Sequence, residues 1–391
     1  MRNRISILRL APIILLALAA AAPAANVTVN SLADAGGSCP GICTLRQAII
    51  TAGSGDTITF SLPAGSTITL TTAELLINKS VTISGPGASQ LTVQRNTATG
   101  ANRFRIFDIV SGVTVTMSGL TVSNGVLNGT ANNHEGGGIF NAGTLTIANS
   151  TISGNTGTGL GNNAGGGISN AGTLTITNST ISGNFADNNA SGGGIHNTGT
   201  LTVANSTISG NTANNTTPGG GGIMNEGPAT ITNSTISGNT VINSSGGKGA
   251  GIYNVSGSLT LTNCTVSGNN GDTGFGGGIE NDGTLTVVNS TISGNAATLG
   301  AGVYNSGGGS ATATLTNTTI AANSAKSAGG GIESVGSTVT IKNTIIATNT
   351  ATAGTGPDIS GAVVSNGFNF VGINANTGFT GGAQSNDQIG T

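Results

Sequence analysis

Apolar and polar residues alternate over most of the chain. In Thr144-Leu145-Thr146-Ile147 the two aliphatics share one side and the two threonines the other, the period-two pattern of a half-buried strand. Thr57-Ile58-Thr59-Phe60, Ser80-Val81-Thr82-Ile83 and Val113-Thr114-Val115-Thr116 repeat it. After Asn149-Ser150-Thr151 the parity shifts and Ile152 becomes the inward residue. A parity shift at an Asn-Ser pair predicts a corner, because Asn tolerates the left-handed backbone conformation.

The pattern is periodic on a longer scale. Ser-Thr-Ile-Ser-Gly-Asn ends at Asn155, Asn184, Asn211, Asn239 and Asn295, with variants ending at Asn269, Asn323 and Asn349. A second anchor, Gly-Gly-Ile-x-Asn or a near variant, places Asn at 141, 170, 197, 225, 254, 281 and 305. Both give a period of about 28 residues, the signature of a stacked-repeat architecture. Three short strand-like pieces per period (138–141, 144–149 and 150–155 in the first full repeat) describe one coil of a β-solenoid. One coil cannot bury its apolar face, but a column of coils stacked at ~4.8 Å can.

The expected fold is therefore all-β: a right-handed single-stranded parallel β-helix of roughly 11 coils with a short N-terminal capping helix. The Asn141, Asn170, Asn197, Asn225, Asn254 and Asn281 series and the Asn155, Asn184, Asn211 and Asn239 series are expected to form structural ladders, bonding to one another and to corner backbone. Residues 57–125 read as irregular early coils, 126–350 as regular repeats, and 351–391 as a C-terminal cap or incomplete tail. Phe368, Phe370 and Phe379 suggest a small aromatic cap there. At the other end, Thr44-Leu45-Arg46-Gln47 fits a capping box opening a short helix, within an N-terminal cap spanning 26–56.

Composition supports this reading. The chain has 391 residues, 68 of them Gly, no Trp, and only 6% charged residues. Low charge argues against disorder, and a net charge of −2 gives no steering toward nucleic acid. Arg2, Arg4 and Arg9, the apolar run Ile13 to Ala22 and Ala22-Pro23-Ala24 form a secretory signal pattern over 1–25. Export, with an extracellular or cell-surface location, is the expectation; no later segment resembles a membrane helix, and a monomer is expected. Cys39 and Cys43 are close enough to pair in a tight loop, which geometry must decide. Cys264 stands where other repeats carry Ser or Thr. The three cysteines make no zinc site, and no metal or cofactor is expected.

One column breaks the monotony of Thr and Ser. The residue between Ile and Asn in the first strand is expected to face outward. Along the stack it reads Phe140, Ser169, His196, Met224, Tyr253, Glu280 and Tyr304, with Glu333 next. Aromatics one coil apart suit successive sugars or a partner surface. The alternative is that the preceding loop covers this face. Glu280 and Asp282 share one side of a strand, and Glu333 lies ~10 Å away, two strand spacings. Together they are candidates for an acidic catalytic patch.

The segment Cys43-Thr44-Leu45-Arg46-Gln47-Ala48-Ile49 resembles the Cys-Ser-Leu-Arg-Glu-Ala-Ile element that opens many secreted bacterial β-helix proteins, with Thr for Ser and Gln for Glu. The repeats are similar to those of the pectin-lyase-like superfamily and of chlamydial polymorphic outer-membrane proteins. The resemblance covers roughly residues 26–380. It implies adhesion, or binding of a polysaccharide or a cell-surface protein. A polysaccharide lyase or hydrolase and a purely structural spacer are the alternatives. No characterised lyase motif maps onto the chain: beyond Arg105 the only basic residues are Lys248, Lys326 and Lys342. Relatives often continue past a segment like 361–391, so the chain's end at Ile389-Gly390-Thr391 reads as an incomplete frame.

Overall fold

The computed structural model describes residues 24–390, apart from 130–134, 160–163, 188–190, 215–218, 243–245, 272 and 374–383. Residues 1–23 of the expected signal segment and Phe379 lie outside the described residues. Within them the chain is a parallel β-solenoid with a period near 28 residues. Each regular coil carries the expected strands. Ile139–Asn141 and Thr144–Ala148 both join one 22-stranded sheet, and Thr151–Ser153 joins a 13-stranded sheet. Pairing is parallel and in strict register: Thr144 opposes Thr173, which opposes Thr200.

The alternation sets the core. Along Thr144–Ala148 and its equivalents the first residue is exposed, and the second and fourth are buried. Ile147, Ile176, Val203, Ile231 and Leu261 form one fully buried column, and Ile152, Ile181, Ile208 and Ile236 another. Each such side chain contributes roughly 2–3 kcal/mol of apolar transfer, largely offset by the chain entropy of ordering it.

The three Asn series divide by role. Asn149, Asn178, Asn205, Asn233 and Asn263 sit at the corner with φ near +50°, where Asn is among the few residues accepted. The other two series do not adopt that conformation and are buried ladders. Asn141 Nδ2 donates to Asn170 Oδ1 at 2.7 Å, and Asn170 Nδ2 to Asn197 Oδ1 at 2.7 Å. Asn155 Nδ2 donates to Asn184 Oδ1, Asn184 to Asn211, and Asn211 to Asn239, all within 3.0 Å. This second ladder runs on to Asn349, which donates to Asp358. A serine ladder lies beside it: the Ser150 N–H donates to Ser179 Oγ and the Ser179 N–H to Ser206 Oγ. Cys264 occupies this serine column, with its own N–H donating to Ser290 Oγ.

At the N-terminus the helix Leu45–Thr51 buries Leu45, Ala48 and Ile49. Only half of the expected capping box forms. Thr44 Oγ1 accepts from the Gln47 N–H at 3.1 Å, but the Gln47 side chain donates to Thr51 instead of reaching back. Cys39 and Cys43 are joined in a disulfide with Cα atoms 4.7 Å apart. Arg46 ties the cap to the first coils, pairing with Asp34 at 2.7 Å and donating to the Ala73 and Glu74 carbonyls.

Past residue 350 the coils continue. Ile359–Ser365 pairs with Ile332–Lys342, and Phe370–Val371 with Ile345–Ala347. Phe368 and Phe370 do not cover the core: they are 64% and 42% exposed on the outer face. Phe370 takes a position that is outward in the other coils, so strand alternation directs its ring to solvent.

Candidate functional site

The column Phe140, Ser169, His196, Met224, Tyr253, Glu280, Tyr304 and Glu333 is stacked in register as the repeat required. It is not a surface stripe. All eight residues are buried, from 0% exposure at Glu280 to 9% at Tyr304 and Glu333. Their side chains leave the main core, but a fourth chain layer covers them. Thr156–Gly159, Phe185–Asp187, Thr212–Asn214 and Thr240–Ile242 form a further parallel sheet. From it the glycine-rich segments double back over the strand. A Cβ on Gly300 would lie 2.6 Å from the Tyr304 Cβ, and one on Gly276 would lie 2.7 Å from the Glu280 Cβ. Only glycine permits so close an approach. The glycine runs are thus the cover of this layer, with a role beyond the turns their composition suggests.

Most of the column is apolar or locally paired. Phe140 lies 5.4 Å beneath the Arg105 guanidinium, and His196 Nε2 is 3.2 Å from Glu226 Oε1. The chemistry concentrates between residues 248 and 333. Lys248 sits on the covering segment of one coil. Its Nζ lies 2.8 Å from Glu280 Oε1 and 2.8 Å from Asp282 Oδ2 in the next coil. The Tyr253 ring is 5.0 Å from the ammonium, and the Tyr253 hydroxyl donates to Asp282 Oδ2 at 2.9 Å. The Ser306 hydroxyl donates to Asp282 Oδ1. Phe275 packs on Tyr304 with ring centroids 5.1 Å apart.

The two carboxyls in contact with Lys248 differ sharply. Glu280 is sealed, and burial pushes its pKa up to about 8 against the pull of Lys248. The ammonium approaches its Oε1 closely, but neither oxygen has a well-aligned hydrogen-bond donor among the described residues. Burial also acts to raise Asp282, but hydrogen bonds from Lys248, Ser306 and Tyr253 outweigh it and hold this carboxyl below the usual range. Burial pulls Lys248 down, but the two carboxylates win and hold it above the ordinary lysine value. Glu333 does not join the pair: it is raised by burial, with a hydrogen bond from Ser360 opposing. It stands in the same column beyond Tyr304.

Of the candidates expected from sequence, Glu280 and Asp282 come together, and Tyr253 with them. Lys248, Phe275 and Ser306 were not anticipated. The signal for Lys248 is its place inside Gly246-Gly247-Lys248-Gly249, a charge within a glycine run. Among the described residues no group of three or more His, Cys, Asp or Glu is placed to hold a metal ion.

The outer faces carry hydroxyls. Thr92, Thr121, Thr151, Thr180, Thr207, Thr235, Thr265, Thr291 and Thr319 make one half-exposed column. Past Thr319 and before Gln388 in the last strand, the column turns to Ile345 and Phe370. These two, with Phe368, Asn317, Asn343 and Gln388, line a shallow cleft.

A family model described as right-handed β-helix region matches residues 87–320. The chain belongs to the right-handed β-helix family. No curated protein matches the sequence. Among solved structures, a Geobacillus virus E2 chain described as ORF18 is similar at 13% identity and a TM-score of 0.41. The match covers 88% of this β-helix chain and 60% of that one. The chain therefore spans less than two thirds of the length of that neighbour, and a likeness of this degree bears on neither ligand nor activity. Among the described residues no helix is long and apolar enough to cross a membrane.

Proposed function

We propose that this β-helix is an exported adhesin-like protein that binds an extended neutral partner, a glycan in the first instance, on its outer face. The observation that carries the reading is the change along the threonine column. Ten coils, from Thr67 to Thr319, present Thr, and the column then turns to exposed Ile345 and Phe370, with Phe368 beside them. Aromatic faces beside uncharged amides suit the apolar faces and hydroxyls of neutral sugars. The N-terminal Arg2-Arg4-Arg9 pattern and the Cys39–Cys43 disulfide support export into an oxidising compartment. The buried column no longer serves as the binding stripe, because a ligand has no access to it.

A polysaccharide-cleaving enzyme is the second reading, favoured by Lys248 and Asp282, which lie beside sealed Glu280 and keep 23% and 16% of their own side chains exposed. The test is to incubate residues 26–391 with plant, algal and bacterial polysaccharides, scoring binding and chain shortening together. A parallel variant carries Phe368→Asn and Phe370→Thr, the residues other coils place there. Binding without shortening, reduced at least tenfold in the variant, supports the proposal. Shortening that is lost in Lys248→Met makes the protein an enzyme. No binding to any glycan removes the glycan reading and leaves a protein partner or a spacer.

A further inference from the structure

The Lys248 cluster has a property that binding does not use. A primary ammonium lies 2.8 Å from a carboxylate oxygen of Asp282, across two adjacent coils and 34 residues apart in sequence. Beside both groups stands a third, Glu280, with 0% exposure and an Oε2 that has no donor among the described residues. The Lys248 ammonium lies 2.8 Å from its other oxygen, but a buried carboxyl with one bare oxygen is costly, and as a stability element this one is poorly placed. As a proton carrier it is well placed.

We propose that Lys248 and Asp282 condense into an internal amide, with Glu280 shuttling the proton. The reaction balances without an oxidant, reductant or co-reactant. The Lys248 ammonium gives one proton to Glu280 and becomes a neutral amine. Glu280 passes that proton to Asp282, and the nitrogen forms a bond to Cγ of the neutral carboxylic acid. The Cγ–O bond to the protonated oxygen then breaks. The departing oxygen keeps the relayed proton, takes a second one from the nitrogen, and leaves as water. The third hydrogen stays on the amide.

Three features of the site favour this step. The reacting groups are already in contact, and well-oriented neighbours of this kind reach effective molarities of roughly 10⁵–10⁸ M. Asp282 is the electrophile because its two oxygens accept from the Tyr253 and Ser306 hydroxyls, donors able to hold the charge that develops on the tetrahedral centre. Glu280 lacks such donors, so it carries the proton instead. The Tyr253 ring lies 5.0 Å from the ammonium, and the reacting side chains keep only 23% and 16% of their surface exposed, an opening through which the released water can leave. The ion-paired ground state opposes the reaction, since Lys248 is held charged and Asp282 ionised. The reactive state is the neutral pair reached by moving a proton within the cluster. A Glu280 pKa pushed up to about 8 brings that state closer than an ordinary carboxylate would.

The product would tie one coil covalently to the next. This is independent of the glycan reading and survives its failure. The experiment is intact-mass measurement of the purified, folded chain after unfolding and reduction of the Cys39–Cys43 bridge, with the sequence mass counted from its actual first residue, followed by peptide fragmentation. Most of the protein is expected lighter than its sequence mass by one water, with the link at Lys248–Asp282. Lys248→Met and Glu280→Gln are expected at their full masses with unchanged far-UV circular dichroism. Asp282→Asn is expected to lose ammonia in place of water. Wild-type protein that is folded and at full sequence mass overturns the proposal, whatever the variants do. A link that still forms in Glu280→Gln, or one that runs to Glu280, overturns the assigned roles.

Discussion

Replacing one rung of the buried amide ladder should cost far more than replacing a surface side chain. Asn211 is the clearest case. Its Oδ1 accepts from the Asn184 backbone N–H and from Asn184 Nδ2, both at 3.0 Å. Its Nδ2 donates to the Ile181 carbonyl at 3.0 Å and to Asn239 Oδ1 at 2.9 Å. The Asn211 N–H keeps its own acceptor on Asn239, so Asn211→Ala leaves that bond intact. It orphans the Asn184 N–H, one Asn184 amide hydrogen and the Ile181 carbonyl, in a site with 0% exposure. At about 1–3 kcal/mol per buried unpaired group, and with partial relaxation, the loss is about 3–6 kcal/mol. Urea denaturation measures the total. Hydrogen exchange at the Asn184 amide locates it, and guards against a stacked array that does not unfold as a single unit. The control is Thr202→Ala on the outer face, expected within ~0.5 kcal/mol of wild type. A cost below about 1 kcal/mol for Asn211→Ala, with Asn184 exchange unchanged, would refute the ladder as a source of stability.

Other consequences follow from single sites. Asp34 lies under burial that acts to raise its pKa, but hydrogen bonds from Thr71, Arg46 and Thr72 outweigh it and hold the carboxyl below 3.8. A depressed carboxyl stabilises the fold above its unfolded pKa and loses that contribution as pH falls through the folded value. Acid unfolding monitored by exchange should therefore begin in the N-terminal cap, and Asp34→Asn should remove that pH dependence. Gly300 has φ +58°, and an added Cβ would sit 2.6 Å from the Tyr304 Cβ. Gly300→Val should lower the thermal midpoint and raise quenching of Tyr304 fluorescence in a Tyr253→Phe background; unchanged values would show that the cover is not tight. The Cys39–Cys43 bridge closes a very short loop. Its removal by a double Ser substitution should cost only about 2 kcal/mol by the loop-entropy relation, read by urea denaturation.

The sequence by itself determined the scaffold. Inward columns such as Ile152–Ile181–Ile208 are legible because strand alternation has a fixed period of two and the repeat fixes which coil follows. The corner at Asn149 is legible because few residues accept its backbone angles. The aromatic and acidic column was legible as a column, but not as a buried one. Alternation says that Tyr253 and Glu280 leave the main core; it does not say what meets them on the other side. That was decided by the covering layer, whose glycines approach the strand backbone at a distance no pattern encodes. The pairing of Lys248 with Asp282 is likewise tertiary. Their separation of 34 residues differs from the period of about 28, because the lysine lies on the cover of one coil and the carboxyl in the bend just past the strand Ile279–Asn281 of the next. Short-range chemistry fixed the coils, and the way one coil folds over its neighbour fixed the site.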